Sequence, residues 1–320
     1  MKGKITVVVQ NNRVQYKFTL NRNLTVLRGD SATGKTTLIE MIGEYEQDPQ
    51  SGITLKCEKE CRVVAGVHWR EQLESISDSI VFIDEGNRFL KSLEFANAVK
   101  NSDNYYVLVT REPLKSLPYS VEEVYGIVNK TKGYGLIKRM YSSFRSLYPA
   151  NALFYDFNLV IVEDSNSGFD FFSSVFGEYG ISCICASGKA NIANEILKTQ
   201  KDDKILVIAD GAAFGPEMEQ VLRAGVLRKT QIYLPESFEW LILRSGLISD
   251  KEIEKTLESP SDFIESREYF SWENFFFHLL KSKTNGTYLE YKKDKLNSVY
   301  LREKEKNAIT TLLPFQIGGE

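Results

Sequence analysis

The sequence predicts an α/β protein with two domains, each built on a parallel β-sheet. The first observation is that short apolar runs, typical of buried strands, alternate with stretches whose apolar residues recur at helical spacing. The second is that this alternation fades after about residue 128 and starts again near residue 158, beyond a reset around residues 145–157. Because strands separated by helices pair in parallel and carry helices on both faces, the pattern predicts two such sheets.

The first series begins with a predicted hairpin, in which KITVVVQ and VQYKFTL lie on either side of the turn residues NNR. NLTVLRG is a third strand, and the helical segment KTTLIEMIGEYEQ follows it. We predict four further strands at GITLKCE, CRVVAG, SIVFIDEG and NYYVLVTRE, with helices at HWREQLESISD and NRFLKSLEFANAVKNS. The Gly-bearing segment VNKTKGYGLIKRMYSSF is predicted as a hairpin or connector.

The second series predicts four strands and three helices. The strands are NLVIVED, ISCICA, KILVIAD and TQIYL, and the helices between them are GFDFFSSVFGEYG, ANIANEILKTQ and PEMEQVLRAG. From about residue 236 the pattern is helical, and we interpret the aromatic-rich SWENFFFHLLKS as a packing helix. These patterns place one domain at residues 1–145, a second at 146–245, and a helical extension packed on the second domain at 246–320.

Composition limits the class of protein. Apolar residues make up 42% of the chain and charged residues 26%, as in soluble globular proteins, and the net charge of −3 provides no global basic field for nucleic acid. No segment approaches the roughly 20 apolar residues of a membrane span. Four scattered cysteines suit reduced thiols, and the C-x3-C pair Cys57 and Cys61 lacks the second pair that a zinc site needs. We expect a cytoplasmic protein that does not contact a membrane.

Residues 29–37, GDSATGKTT, satisfy the pattern G-x-x-x-x-G-K-[ST] between a strand and a helix. Glycines allow the backbone to curl so that several N–H groups point at phosphate oxygens, and the helix N-terminus adds positive potential. We expect Lys35 to reach the β- and γ-phosphates of ATP and the Thr36 hydroxyl to bind Mg²⁺. The predicted nucleotide-binding residues are Gly29, Asp30, Ser31, Ala32, Thr33, Gly34, Lys35, Thr36 and Thr37.

Acidic and polar residues end two of the following strands. SIVFIDEG places Asp84 where it can bind Mg²⁺ through water and Glu85 where it can polarise an attacking water. Thr110 ends the strand NYYVLVTRE, where a polar side chain can sense the γ-phosphate. For Arg111 we expect either stabilisation of transferred charge or, more commonly, a salt bridge to Glu112 or another carboxylate. Lys35, Glu85 and Thr110 are therefore the predicted catalytic residues for hydrolysis.

This residue pattern resembles the ATPase domains of the ABC and AAA superfamilies. The hairpin before the loop and the adjacent Asp84 and Glu85 are similar to the ABC side. The resemblance implies a P-loop NTPase domain with a parallel sheet, and it implies pairing of protomers into a homodimer or a larger assembly. The chain departs from the ABC pattern because no LSGGQ-like signature and no room for a coiled coil occur between Lys35 and Asp84. A transporter subunit or a chromosome-clamp ATPase is therefore disfavoured.

In the second series, LVIVEDSNSG ends with Glu163 and Asp164, and ILVIADGAAFG ends with Asp210. Because the carboxyl ends of parallel strands share one edge, Glu163 and Asp210 are predicted to converge. Clustered carboxylates repel one another unless a cation neutralises them, and oxygen ligands suit Mg²⁺ or Mn²⁺. The sequence thus predicts a metal site at Glu163 and Asp210 that can activate water.

With ASGKANI after the second strand, this arrangement resembles a TOPRIM domain over roughly residues 158–245. An ATPase followed by such a domain is similar to the OLD-family nucleases and to PARIS-type anti-phage proteins. The resemblance implies that the nucleotide state controls cutting of nucleic acid. TOPRIM domains usually carry D-x-D at the third strand, whereas Ala212 stands at the second carboxylate position here. Glu217, Glu236 or Glu239 could compensate, and Lys189 could contact a phosphate.

Two alternatives remain open at this point. The second domain also resembles a response-regulator receiver, in which Asp210 would accept a phosphoryl group, although a lysine closing a fifth strand is not evident. Alternatively, the protein is an ATP-dependent switch whose second domain is catalytically inactive and binds a partner protein, which Ala212 and the absence of surplus basic charge favour.

Overall fold

The computed structural model describes residues 2–29, 33–134, 137–149 and 156–317. The chain divides into two compact units, and the sequence does not run through them in simple succession. Unit 1 comprises Met1–Pro149 and Ser259–Phe270, and unit 2 comprises Ala150–Glu258 and Ser271–Glu320. A short part of the predicted C-terminal extension therefore groups with the first unit.

Unit 1 is built on a nine-stranded sheet with the order β4-β1-β2-β9-β8-β3-β7-β6-β5. The strands are β1 Ile5–Gln10, β2 Val14–Leu20, β3 Leu24–Leu27, β4 Thr54–Lys56, β5 Cys61–Val63, β6 Ile80–Ile83, β7 Tyr105–Val109, β8 Val124–Tyr134 and β9 Ile137–Ser146. The helices are α1 Lys35–Gln47, α2 Trp69–Glu74 and α3 Leu93–Lys100, joined by α9 Pro260–Phe263 from the returning segment.

The predicted parallel sheet is confirmed for one half of this unit, whereas the other half is largely antiparallel. In that half the predicted hairpin β1–β2 is confirmed, and the segment predicted as a hairpin or connector forms the hairpin β8–β9. Strands β5, β6, β7, β3 and β8 pair in parallel. Beyond β8 the pairing is mixed, because the hairpin β8–β9 and the hairpin β1–β2 are both antiparallel and join through a parallel contact between β2 and β9. The physical reason is local: each hairpin turns within a few residues, which permits only antiparallel neighbours.

Alternate residues of the central strands enter two separate cores, one on each face of the sheet. Leu27 and Phe82 pack with Leu38 and Ile42 of α1 on one face. The intervening strand residues pack on the other face with α2 and α3, where aromatic rings are prominent. The helix predicted over residues 87–102 is in fact a 3₁₀ turn at Arg88–Lys91 followed by α3. The break occurs at Ser92, whose hydroxyl accepts a hydrogen bond from Phe95 N and caps the new helix.

A buried polar contact holds the amino end of β3. Thr25 donates a hydrogen bond of 3.1 Å to Glu123 Oε2, and Arg22 Nε lies 3.9 Å from Glu123 Oε1. Burial raises the pKa of Glu123 to about 7, against the opposing charge of Arg22. The contact links β3 to the start of β8, so it fixes the strand that leads into the glycine-rich loop.

Unit 2 contains an all-parallel, four-stranded sheet with the order β11-β10-β12-β13. Its strands are β10 Leu159–Val162, β11 Ser182–Cys185, β12 Lys204–Ile208 and β13 Lys229–Tyr233. Its helices are α4 Ser167–Gly177, α5 Ile192–Lys198, α6 Met218–Val226, α7 Phe238–Arg244, α8 Lys251–Glu258, α10 Trp272–Thr284 and α11 Glu303–Thr310. Among the described residues the sheet has no fifth strand, since β13 is followed by α7, and this argues against the receiver-like alternative.

The C-terminal helices of unit 2 pack on α7, as the aromatic pattern predicts. Phe276 and Leu280 of α10 are buried, and α10 also lies against the 3₁₀ turn Gly211–Ala213 that follows β12. This second contact places the start of α10 beside the carboxyl ends of the strands. None of the helices in the described ranges combines the length and apolar character needed to cross a bilayer.

Candidate functional site

The glycine-rich loop joins β3 to α1 at the carboxyl edge of the nine-stranded sheet. Gly29 and Gly34 have positive φ angles of 124° and 96°, which residues with a side chain rarely adopt. A Cβ atom on Gly34 would lie 2.7 Å from the Tyr16 hydroxyl oxygen. Residue 34 therefore requires glycine for both conformational and steric reasons. Asp30, Ser31 and Ala32 lie outside the described residues, so their predicted role in binding phosphate is not tested here.

Tyr16 of β2 shapes the second half of the loop. Its hydroxyl donates a hydrogen bond of 2.9 Å to Gly34 O. On the other side of the loop, Asn129 Nδ2 of β8 donates to Thr33 O at 3.2 Å, and Asn129 is itself held by Ser142. Both antiparallel hairpins thus support the loop. The two threonines at the start of α1, Thr36 and Thr37, are both exposed.

Lys35 is buried, and its Nζ atom donates hydrogen bonds of 2.9 Å to Gly29 O and to Thr33 Oγ1. The ammonium group therefore lies within the loop rather than in solvent. The N-terminus of α1 is not neutralised by its own residues, because Gly34 provides no side-chain cap and the first turn contains no acidic residue. A helix end that Gly34 does not cap with a side chain and a buried lysine beside it together form a positive site suited to phosphate.

The strand order places Asp84 and Glu85 at the same edge of the sheet as this loop. β7 lies between β3 and β6, and its register aligns Val109 with Leu27 and Leu108 with Ile83. The segments that follow the three strands therefore emerge side by side. Asp84 follows β6 two strand spacings from the loop, about 10 Å away. The end of β7 lies between them.

Asp84 and Glu85 have different environments. Asp84 Oδ1 accepts a hydrogen bond of 2.8 Å from Glu85 N, which fixes its carboxylate at the strand end. Glu85 is held by Arg111, whose Nε and Nη2 atoms donate to the two carboxylate oxygens at 2.9 Å each. A paired arginine–carboxylate fork occupies the oxygens that a general base would use. The predicted catalytic residue Glu85 therefore lies at the predicted edge of the sheet, but Arg111 binds its carboxylate. Arg111 thus forms a salt bridge, which is the role that we expected to be the commoner one.

Thr110 lies at the end of β7, between the loop and Asp84. Its hydroxyl donates to Glu112 O at 2.8 Å and accepts from Glu112 N at 3.1 Å. These bonds close a local turn, and the residue is buried. In this conformation its side chain serves the turn, and no contact with the loop is made through that hydroxyl. Arg28 links the two strand ends instead, because its Nη2 atom donates to Arg111 O at 2.7 Å.

In unit 2 the sheet brings Glu163 and Asp210 together, as predicted. β10 and β12 are neighbours in parallel register, and Glu163 Oε2 accepts a hydrogen bond of 2.9 Å from Asp210 N. Burial raises the pKa of Glu163 to about 7 against that hydrogen bond. Burial and the charges of nearby carboxylates, Glu273 first, raise the pKa of Asp210 well above its ordinary value. The two predicted ligands therefore face one site that favours the uncharged form of each.

Three more carboxylates surround this pair, namely Asp164, Glu239 and Glu273. Each has a partner within unit 2: Asp164 accepts from Asn166, Glu239 accepts from the Tyr291 hydroxyl at 2.8 Å, and Glu273 accepts from Lys293 Nζ at 2.9 Å. Of the three compensating acids considered from the sequence, Glu239 is the one that lines the cavity. Burial lowers the pKa of Lys293, but Glu273 and the other acids outweigh this and raise it overall.

The cavity between these acids has a volume of about 20 Å³, which is room for one ion or one water molecule. Ala212, at the position of the expected second aspartate, is buried in the turn under α10. Gly211 is equally confined, since a Cβ there would lie 2.9 Å from Leu234 O. Within the described ranges no three His, Cys, Asp or Glu side chains stand ready to hold a metal ion. A cavity of this volume has room for one ion and not for a pair of ions.

The ASGK segment after β11 lies against the same cavity. Gly188 N donates to Glu163 O at 2.7 Å, and Lys189 Nζ donates to Ala213 O at 2.7 Å while its charge acts on Glu163. Ser187 has a positive φ of 56°, unusual for a residue with a side chain. Lys189 is thus half-buried and held near Glu163 rather than fully exposed to solvent.

Sequence reasoning missed residues that come from other parts of the chain. Tyr16 and Asn129 support the glycine-rich loop, and Glu273, Tyr291 and Lys293 complete the carboxylate site. In the sequence, Tyr16 is one of several buried strand residues, and Glu273 stands at the start of a helix with an apolar face. Neither pattern carries a chemical signal, because both roles depend on which elements become neighbours.

Comparison with known proteins leaves the family open. No protein-family model matches the chain, and no curated protein matches it either.

Substitution by alanine tests whether position 34 requires glycine for its positive φ and its contact with Tyr16, as distinct from an ordinary effect on helix propensity. We expect Gly34→Ala to lower the free energy of unfolding of unit 1 by about 1–3 kcal/mol, since it adds backbone strain and a clash with Tyr16. Gly43→Ala in α1 is the matched control, because the added Cβ meets only an ordinary contact with Val63 at 3.7 Å. Helix propensity predicts that this control is neutral or stabilising by up to about 1 kcal/mol. Urea unfolding followed by circular dichroism measures both, and equal effects would contradict the role assigned to Gly34.

Proposed function

We propose that the protein binds and hydrolyses ATP with Mg²⁺ in unit 1, as a P-loop ATPase. The observation that supports this most directly is the loop itself: two glycines with positive φ lead into an uncapped helix, with the Lys35 ammonium buried between them. An accidental match to the sequence pattern would carry none of these features. The acidic strand end at Asp84, one strand beyond β7, adds the second element that hydrolysis needs.

In this proposal each residue has a defined task. The first turn of α1 and the loop backbone bind the phosphate chain, and Lys35 exchanges its bonds to Gly29 and Thr33 for the β- and γ-phosphates. Thr36 and Asp84 would hold Mg²⁺, which neutralises charge on the phosphates when bound. Glu85 orients and polarises the attacking water once Arg111 releases it, and the freed Arg111 is then available for phosphate charge.

Loss of the lysine tests nucleotide binding. We expect Lys35→Ala to weaken binding of a fluorescent ATP analogue at least 100-fold, because a buried charge aimed at phosphate is removed. Lys17→Ala removes an exposed lysine from β2 of the same unit and is expected to bind the analogue like the unsubstituted chain. Fluorescence titration with Mg²⁺ present provides both dissociation constants. Equal binding by the two variants would overturn the P-loop assignment.

Substitution of the glutamate separates hydrolysis from binding. We expect Glu85→Gln to retain ATP affinity within about threefold and to lower the rate of phosphate release at least 100-fold, because an amide is a poor base. Glu112→Gln is the matched control, since Glu112 follows the neighbouring strand and pairs with Lys91. Phosphate release at saturating ATP is the readout. A Glu85→Gln variant that hydrolyses ATP normally would remove Glu85 from the mechanism.

For unit 2 we propose a TOPRIM-like, metal-dependent nuclease site under control of the nucleotide, in a protein of phage defence or mobile-element maintenance. What supports it is the convergence of Glu163 and Asp210 beside Lys189, a cation suited to a substrate phosphate. The second candidate is a nucleotide-dependent switch with an inactive unit 2 that binds a partner protein. The buried Ala212 and the internal partners of Asp164, Glu239 and Glu273 favour it.

Nuclease assays with DNA and RNA in Mg²⁺ or Mn²⁺ distinguish the two candidates. If unit 2 cuts, Glu163→Gln and Asp210→Asn should each reduce cleavage more than 100-fold and leave ATP hydrolysis within twofold. Glu195→Gln is a suitable control, because Glu195 lies near the amino ends of the same strands and pairs with Lys198. Absence of cleavage by the unsubstituted chain, with ATP hydrolysis intact, selects the partner-binding switch.

A further inference from the structure

Two cysteines face one another across the turn that joins β4 to β5 in unit 1. Cys57 follows the last residue of β4, and Cys61 is the first residue of β5. These are the two outermost strands of the nine-stranded sheet. Both thiols contact the backbone of Lys59: its N–H donates to Cys57 Sγ at 3.5 Å, and the Cys61 thiol donates to its carbonyl oxygen at 3.9 Å. Each thiol also lies close enough to affect the pKa of the other.

The two thiols differ in access and in charge. Cys57 is half-buried and open to a small reagent, whereas Cys61 is 6% exposed and packs in the core with residues of α1. The neighbouring Cys61 thiol lowers the pKa of Cys57 to about 7, although burial opposes this, and the Cys57 thiol raises the pKa of Cys61. The exposed member is therefore the better nucleophile, and the buried member is held beside it. No third metal ligand stands near the pair in the described part of the chain.

We propose that Cys57 and Cys61 form a reversible disulfide by exchange with a small-molecule disulfide such as oxidised glutathione. The Cys57 thiolate attacks one sulfur of the reagent, which forms a mixed disulfide and expels one glutathione thiolate. Cys61 then attacks Cys57 Sγ, its proton passes to the departing second glutathione, and the protein disulfide remains. Two protein thiols and one disulfide reagent yield one protein disulfide and two reduced glutathiones, so atoms and electrons balance.

This site is independent of the proposed nucleotide chemistry, and its consequence is structural. The turn contains only Glu58, Lys59 and Glu60 between the cysteines, so oxidation closes a short loop between two edge strands. Cys61 belongs to the same core cluster as Met41 and Ile42 of α1. The disulfide therefore forms directly beneath the helix that begins at the glycine-rich loop.

Peptide mapping of the full chain tests the proposal. Reduced protein is incubated with oxidised glutathione, acid-quenched, alkylated and digested with trypsin, and we expect peptides 57–59 and 60–62 to be joined by a disulfide that dithiothreitol removes. Cys61→Ser is expected to stop at the first step and retain glutathione on Cys57. Cys57→Ser is expected to leave Cys61 unmodified, since the buried thiol is then out of reach.

Cys183→Ser provides the matched control, because it removes a half-buried cysteine from β11 and should form the 57–61 disulfide as the unsubstituted chain does. Cys61→Ala replaces Cys61→Ser if the hydroxyl disturbs the core, as judged by circular dichroism. The experiment on the unsubstituted chain is enough to overturn the proposal. If oxidised glutathione yields no disulfide between the two peptides, the proposal is wrong. Glutathione found on Cys61 of the Cys57→Ser variant overturns the assigned order of attack.

Discussion

The contact between the Tyr16 hydroxyl and the Gly34 carbonyl is the constraint on which the organisation of unit 1 depends. It fixes a left-handed residue at the point where the loop becomes a helix, and a larger side chain at 34 would collide with the same hydroxyl. Because α1 starts at the next residue, this contact sets where the first turn of the helix lies. The antiparallel part of the sheet, which brings Tyr16 and Asn129 to the loop, thus supports the site rather than merely extending the sheet.

At the same edge of the sheet, the Glu85 carboxylate is held in an ion pair. Arg111 binds both oxygens of Glu85 while its own carbonyl accepts a hydrogen bond from Arg28, directly before the loop. Three strand ends are therefore connected through one arginine. Under the proposed function, an incoming phosphate chain would compete with Glu85 for that cation and would release the glutamate. The exposure of the pair to solvent keeps the ion pair weak enough to break.

In unit 2, several carboxylates lie close together in a buried site. Four carboxylates line a space for one small occupant and Glu273 lies nearby. Their charge is countered by Lys293, Lys189 and the Tyr291 hydroxyl, and the pKa values of Glu163 and Asp210 are raised. Charge neutralisation by internal partners stabilises the site as it stands. The same arrangement is compatible with a cutting site or with a retained but inactive one, which is why unit 2 carries two candidate functions.

Local patterns in the sequence determined most elements and the residues at both sheet edges. The hairpin β1–β2, the helix that starts at Lys35, and the strand ends at Asp84, Glu163 and Asp210 follow from periodicity and turn residues, which act over a few positions. Only the tertiary structure decided which side chains meet. Tyr16 at the loop, Arg111 on Glu85, and Glu273 with Lys293 at the acidic cavity come from elements distant in sequence or from strands whose order no local pattern encodes. Their physical basis is packing between elements, and packing is specified by the whole chain rather than by any one segment.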